Sequence, residues 1–214
     1  MSGLLPGMLE RRRWGCFVTA PLTPCLDKSA WTIAPIVDHA DAVRLIERWH
    51  YSRSAPNTST ARHGLYAMGE TIMAEPQGVA MWIPPTRAAA ESVAGDGWQG
   101  VLCLTRLVVS PDVPTNGASF LLGRSMRAID RDRWPWLLTY ADMALGHTGA
   151  IYRATNWTEV GQVPAGDTWI DGDGRQRGRK RGGRTLLASE MRAAGFTRRE
   201  PAPKIKFVHG PVAA

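Results

Sequence analysis

The chain has 214 residues, enough for one packed domain, and its 44% hydrophobic and 21% charged composition excludes a disordered or collagen-like polymer. No apolar run nears the roughly 20 residues that a bilayer span needs, and the N-terminus lacks a signal-peptide core, so the expectation is an intracellular, membrane-free protein. Cys16, Cys25 and Cys103 are too scattered for a disulfide framework or a zinc knuckle, while the formal charge of +7 points to anionic partners.

Residues 1–34 read as an irregular N-terminal extension with room for one strand, and residues 35–214 as a single domain. Asp38 is placed to cap a helix whose Val43, Leu45, Ile46 and Trp49 form an apolar face and which ends near His50 and Tyr51. After the turn-forming SRSAPNTST, Leu65–Met68 and Gly78–Ile83 predict an antiparallel pair of strands, the second stopped by Pro84 and Pro85. Residues 86–100 predict an insertion or a short helix and loop. Val101–Val109 is the strongest strand in the chain, interrupted only by Arg106. A loop then leads into an amphipathic helix over Ser119–Arg131, a buried strand over Trp136–Ala141 ending at Asp142, and a second helix over His147–Trp157. This strand and helix order implies a sheet with parallel members. Short strands at Gln162–Val163 and Thr168–Ile170, a helix over Leu186–Ala194 and a last strand at Ile205–Val208 complete the series.

Between the late elements, Arg175, Arg177, Arg179, Lys180, Arg181 and Arg184 crowd ten residues with interleaved glycines. Six phosphates neutralised on a duplex would give a slope of log affinity against log salt of about −5. The other reading is a solvated hairpin held open by its own charge. The loop Thr115–Ser119 joins a strong strand to a helix N-terminus, where free N–H groups favour an anion, and Asn116, Gly117 and Ser119 are its candidate cofactor contacts. It is neither a Walker loop nor GxGxxG, and a plain turn capped by Ser119 fits equally. His50 and Tyr51 lie just past a helix end, Asp142 at a strand end where ligands bind open sheets, and Tyr152 ten residues beyond it. Arg106 needs an anionic partner if buried, and Asp142 is the expected one. Trp14, Trp31, Trp82 and Trp98 read as packing residues, with an exposed ring able to wedge into unstacked DNA.

A helix ending in His50-Tyr51-Ser52, a strand with Thr105-Arg106-Leu107, an NGAS loop at Asn116–Ser119, TYAD at Thr139–Asp142 and then GHTGAIYRATNW at Gly146–Trp157 resembles the Mom family of phage DNA-modification proteins. The resemblance covers roughly residues 38–163, is most specific over Thr139–Trp157, and extends to a family-like PKIKFV ending. The same order is similar to a divergent GNAT-type acyltransferase. That implies an α/β fold with a GNAT-like mixed, partly parallel sheet flanked by helices, whose splayed central strands admit the donor. By motif match the family's functional positions fall on His50, Tyr51, Arg106, Ser119, Asp142 and Tyr152.

The resemblance implies carbamoylmethylation of adenine N6 in double-stranded DNA, in the cytoplasm of an infected host, as a shield against restriction. Such a product is joined through an α-carbon, which a thioester donor does not by itself explain. The resemblance therefore implies iron as a candidate cofactor, with His50 and Tyr51 as its ligands and Asp142 and Tyr152 as further donors. Acyl-coenzyme A stays open as the donor, since the chain lacks the Gln/Arg-x-x-Gly-x-Gly/Ala loop of the acyltransferases. A dimer is also open. The alternatives are a conventional acetyl-coenzyme A-dependent N-acetyltransferase acting on a protein, small-molecule or modified-base amine, and a non-enzymatic DNA-binding protein.

Overall fold

The structure, a computed structural model, describes residues 24–69, 75–164, 166–200 and 202–211. Readings made on residues 1–23, among them the Cys16 thiol and the Trp14 ring, lie outside the described residues. The elements in chain order are β1 (Trp31–Pro35), α1 (His39–Trp49), β2 (Ala61–Ala67), β3 (Gly78–Ile83), α2 (Arg87–Ala94), β4 (Val101–Val109), α3 (Gly117–Ala128) and β5 (Trp136–Asp142). They continue with α4 (Ala150–Arg153), β6 (Thr158–Val163), β7 (Thr168–Ile170), β8 (Gln176–Arg177), β9 (Lys180–Arg181), β10 (Arg184–Thr185), α5 (Ala188–Ala193), β11 (Thr197–Arg199) and β12 (Lys204–His209). Residues 31–34, read with the extension, thus belong to a sheet strand. No helix among the described residues is long and apolar enough to cross a membrane.

Seven strands form the main sheet in the order β1-β2-β3-β4-β5-β12-β6. Only β4 and β5 run parallel; every other neighbouring pair is antiparallel. Side chains alternate across this sheet as the pleat requires. On β3, Ala80 and Trp82 face α3 with Leu65, Leu102, Leu121 and Leu137, while Val79 and Met81 face α1 with Leu45, Ile46 and Val108. A third cluster seats Ala90 of α2 on Val101, Cys103, Leu138 and Val208. Asp38 does cap α1, accepting the Ala40 N–H at 2.8 Å. Trp49 departs from the expected apolar face: it is exposed, with the Arg48 guanidinium 4.8 Å above its ring.

The central strands part for a visible reason. β4 pairs with β5 only over Val101–Cys103 against Trp136–Leu138. On its other side, Met81 faces Arg106 and Trp82 faces Leu104, leaving Thr105 as an extra residue on β4. Such a bulge bends the strand and increases its twist, and the fork begins where the bulge sits. Thr139 marks the fork, its hydroxyl donating to the Leu104 carbonyl at 3.2 Å. The splayed, partly parallel arrangement implied by the resemblance is therefore present. The helix expected over His147–Trp157 is reduced to one turn, because Gly149 takes a left-handed φ of 79° and Asn156 one of 63°. Beside the main sheet, β11, β7 and β8 make a small accessory sheet, and β9 with β10 a short hairpin.

Candidate functional site

The open fork forms a cleft of about 570 Å³, a volume in the range of small-molecule sites. Its walls include Trp49, His50 and Tyr51 after α1, Leu104–Val109 of β4, Thr139–Ala141 of β5, and Gly146–Tyr152 leading into α4. Four sequence-predicted residues, His50, Tyr51, Arg106 and Tyr152, thus line one cavity although they span a hundred positions. The His50 and Tyr51 rings lie 4.2 Å apart, and Tyr51 meets His147 edge-on at 5.3 Å.

His50 is buried, and this burial, reinforced by the charges of Arg106 and His147, depresses its pKa to about 3, so the imidazole is neutral at physiological pH. Ser52 fixes the ring: its hydroxyl oxygen is 2.8 Å from Nδ1 and its backbone nitrogen 3.1 Å. That hydroxyl also donates to the Ser54 carbonyl at 3.0 Å. With Nδ1–H directed to Oγ, Nε2 keeps its lone pair; with Nδ1 accepting the backbone N–H, the proton moves to Nε2. Ser52 therefore sets which nitrogen is basic.

Because the folded pKa lies below the unfolded value of 6.5, the unfolded chain binds more protons between those limits, and stability falls as pH drops from about 6.5 toward 3. His50→Gln is expected to flatten this part of the stability profile relative to wild type, measured by thermal melts across that window. Superimposable profiles would refute the burial of a neutral imidazole here.

Burial also raises the Tyr51 phenol, with the Asp142 charge adding to the effect and Arg106 and Arg199 opposing it. Tyr152 is raised by burial and partly restored by a hydrogen bond with the Thr139 hydroxyl. Both phenols are proton donors at neutral pH, and neither rests as a phenolate base.

Arg106 does not pair with Asp142. Its Nε donates to the Ser54 carbonyl and its Nη1 to the Thr105 carbonyl, each at 2.7 Å. The fork separates the two strands before either residue is reached, and Asp142 lies instead in register with Lys204 of β12. Its partner is Arg199 of β11, whose Nη2 is 2.5 Å from Oδ2, while Oδ1 accepts the Ala144 N–H at 3.1 Å. Asp142 is 2% exposed and sits behind the cleft wall, in electrostatic reach of Tyr51 and His147. Sequence reading missed His147 and Arg199. His147 stands five positions past the TYAD strand end, inside the GHTG stretch, and could have been noticed, whereas nothing local marks Arg199, which reaches across 57 positions.

Asn116 and Ser119 face a second cavity; only Ala118 of that loop lines the cleft. Gly117 is buried, with room for no side chain against Val113. Asn116, in a left-handed conformation, occupies the helix-capping position, and Ser119 donates back to its carbonyl at 2.9 Å.

The donor set does not fit a resident iron as it stands. Among the described residues no three His, Cys, Asp or Glu side chains gather to hold a metal. Both Asp142 oxygens are committed, and a cation at His50 and Tyr51 would meet the positive charges of Arg106 and Arg199.

The basic segment is largely neutralised by its own neighbourhood. Arg177 pairs with Asp171 at 2.7 Å, Arg179 with Asp167 at 3.6 Å, Arg184 with Glu190 at 2.6 Å, and Arg175 faces Asp173 and Glu47 at 3.8 and 4.0 Å. Lys180 has no ion pair among the described residues, and Arg181 lies 5.5 Å over the Phe196 ring. Acids at 167, 171, 173 and 190 thus stand against four of its six cations, Asp167 being shared with Arg198 at 2.7 Å. The accessory sheet is also tied to the site, with Gln176 N–H donating to the Ser52 carbonyl at 2.8 Å and Arg53 to the Asp173 carbonyl at 2.9 Å.

A bulged, forked mixed sheet with a ligand-sized cleft at the fork is the architecture that the acyltransferase-like reading requires. The Mom protein family profile matches residues 30–180, and the chain belongs to that family. It is 25% identical over 135 residues to the methylcarbamoylase mom of Escherichia phage Mu, an alignment covering 60% of this chain. The chain spans about half of that relative, 53% of its length. Among solved structures, it is similar to the ribosomal-protein-S18-alanine N-acetyltransferase of Escherichia coli, with 13% identity, TM-score 0.47, and coverage of 83% of this chain and 92% of that one. Spermidine N-acetyltransferase of Vibrio cholerae, in complex with CoA and spermine, gives 9% identity, TM-score 0.47, and coverage of 85% and 96%. Similarity at that level carries no substrate or cofactor to this chain.

Proposed function

We propose that this chain is a phage transferase that attaches a carbamoylmethyl or related acyl-derived group to adenine N6 in double-stranded DNA, protecting it from restriction in the host cytoplasm. The observation that carries the reading is the shared cleft: His50, Tyr51, Arg106 and Tyr152, four of the six positions implied by the Mom resemblance, line it together. A target adenine turned out of the duplex, at a cost of a few kcal/mol, would enter between the splayed strands. Its N6 lone pair is delocalised into the ring, so bond formation to the donor carbon requires loss of an amine proton as the leaving group departs with its electron pair. Neutral His50 is the candidate acceptor of that proton, in the tautomer with Nε2 free. Tyr152 or Tyr51 is the candidate donor to the leaving group, and Arg106 the candidate cation facing its negative charge. Asp142 acts through Tyr51, His147 and Arg199 as a positioning residue.

The test is nucleoside mass spectrometry on DNA from cells expressing the chain. A mass added to deoxyadenosine supports the proposal; unmodified nucleosides overturn it. The fork equally suits an acetyl-coenzyme A-dependent N-acetyltransferase, a second reading that saturable binding of acetyl-coenzyme A in calorimetry would favour.

A further inference from the structure

The second cavity, about 780 Å³, lies between α3, the residues after α4, and Cys25–Lys28. Lys28, Arg124, Arg127, Arg131 and His209 line it, and no Asp or Glu is among its described lining residues. Unlike most of the 175–184 segment, Lys28, Arg124, Arg127 and Arg131 have no carboxylate partner among the described residues. Arg124 lies 5.4 Å over the Phe120 ring, and Arg131 uses Nη2 on the Pro135 carbonyl and near His209, while its buried Nη1 has no partner among the described residues. Asp27, Asp130 and Asp132 flank the site in sequence but do not line the groove; Asp27 accepts from Ser29, and Asp130 accepts from the N–H groups of Asp132 and Arg133. Asn116, Ser119, Thr155 and Asn156 add polar groups to the same walls.

We infer that this groove, and not the 175–184 segment, is the main contact for the phosphate backbone of duplex DNA; the inference rests on the DNA-directed reading of the cleft. Charge complementarity selects the occupant. Arg124 and Arg127 stand three residues apart on α3, about 4.5 Å of rise, and Arg131, past the end of that helix, adds a third cation to the same groove. The groove and the cleft share their dividing wall. Ala118 and Tyr152 face the cleft, while Ser119 and Ala154–Asn156 face the groove, so a strand held here would present its bases at the cleft mouth. In the 175–184 segment, by contrast, most phosphate contacts would first have to displace a carboxylate.

Fluorescence anisotropy of a labelled duplex titrated with the full chain between 50 and 200 mM salt tests this. Arg124 and Arg127 are exposed on α3, so Arg124→Ala with Arg127→Ala leaves the core untouched, and an unchanged melting curve verifies that. The double variant is expected to bind more weakly and to flatten the slope of log affinity against log salt by about 1.8, from two lost phosphate contacts. Arg177→Ala with Arg184→Ala, whose guanidiniums are already held by Asp171 and Glu190, is expected to change the slope less. Wild-type binding with an unaltered slope in the α3 variant overturns this inference alone. Absence of duplex binding by wild type overturns the DNA reading as well. Binding of pyrophosphate that depends on Arg124 and Arg127, without any effect of those residues on duplex binding, reassigns the groove to a small anion and also overturns it.

Discussion

Gly149→Ala is expected to destabilise the fold by about 2–5 kcal/mol, summing a left-handed backbone penalty of about 1–2 kcal/mol with about 1–3 kcal/mol of overpacking. Gly149 has φ 79°, and an added Cβ would stand 2.2 Å from Cζ of Phe207, a fully buried ring of the main core. Nothing soft is available to yield, because Phe207 is also packed against Tyr152 at 5.1 Å between centroids. Since Gly146–Tyr152 form one wall of the cleft, the same substitution should abolish ligand binding even where the chain still folds. Gly146→Ala is the matched control: φ there is 72°, but a Cβ would meet open space, leaving about 1–2 kcal/mol of strain alone. Urea unfolding of the two variants separates clash from strain, and equal losses would disprove the Phe207 contact.

Asp142→Asn is expected to lower the melting temperature by about 4–12 °C and to abolish the proposed base modification. Removing one partner of a buried ion pair costs about 3–5 kcal/mol; Arg199 keeps some contact with water, being 23% exposed at the side chain, so about 2–3 kcal/mol is the appropriate range. At about 2–4 °C per kcal/mol for a domain of this size, the shift follows. The amide oxygen of Asn still accepts the Ala144 N–H, so the loss isolates the charge. Adding Arg199→Gln should restore stability without restoring modification, because the unpaired guanidinium is gone while Tyr51 and His147 still lack their anion. Calorimetry and nucleoside mass spectrometry read the two effects separately. Full modification by the single variant would remove Asp142 from any positioning role.

The parts of the fold written in local pattern were readable. The nine-residue apolar run from Val101, the β3 strand closed by Pro84, and the Asp38 cap each follow from short-range chemistry, and each stands where expected. What failed was set by geometry between elements. One extra residue at Thr105 opens the fork, yet VLCLTRLVV reads as an unbroken strand. Arg106 therefore found carbonyls where a carboxylate had been expected, and Asp142 found a partner from a strand 57 positions on. The short α4 was hidden because the left-handed turn at Asn156 is a choice that tertiary packing, not composition, makes. In the charge run at 175–184 the cations are obvious in sequence, and the acids that pair with four of them are equally visible at 167, 171, 173 and 190, but which acid meets which cation is set by the fold.

Ser52 grips the imidazole of His50 with its own N–H and hydroxyl, and its carbonyl receives the N–H of Gln176 in the accessory sheet. One residue thus couples a peripheral arm to the proton-bearing nitrogens. The accessory sheet is therefore part of the scaffold that holds the imidazole in place.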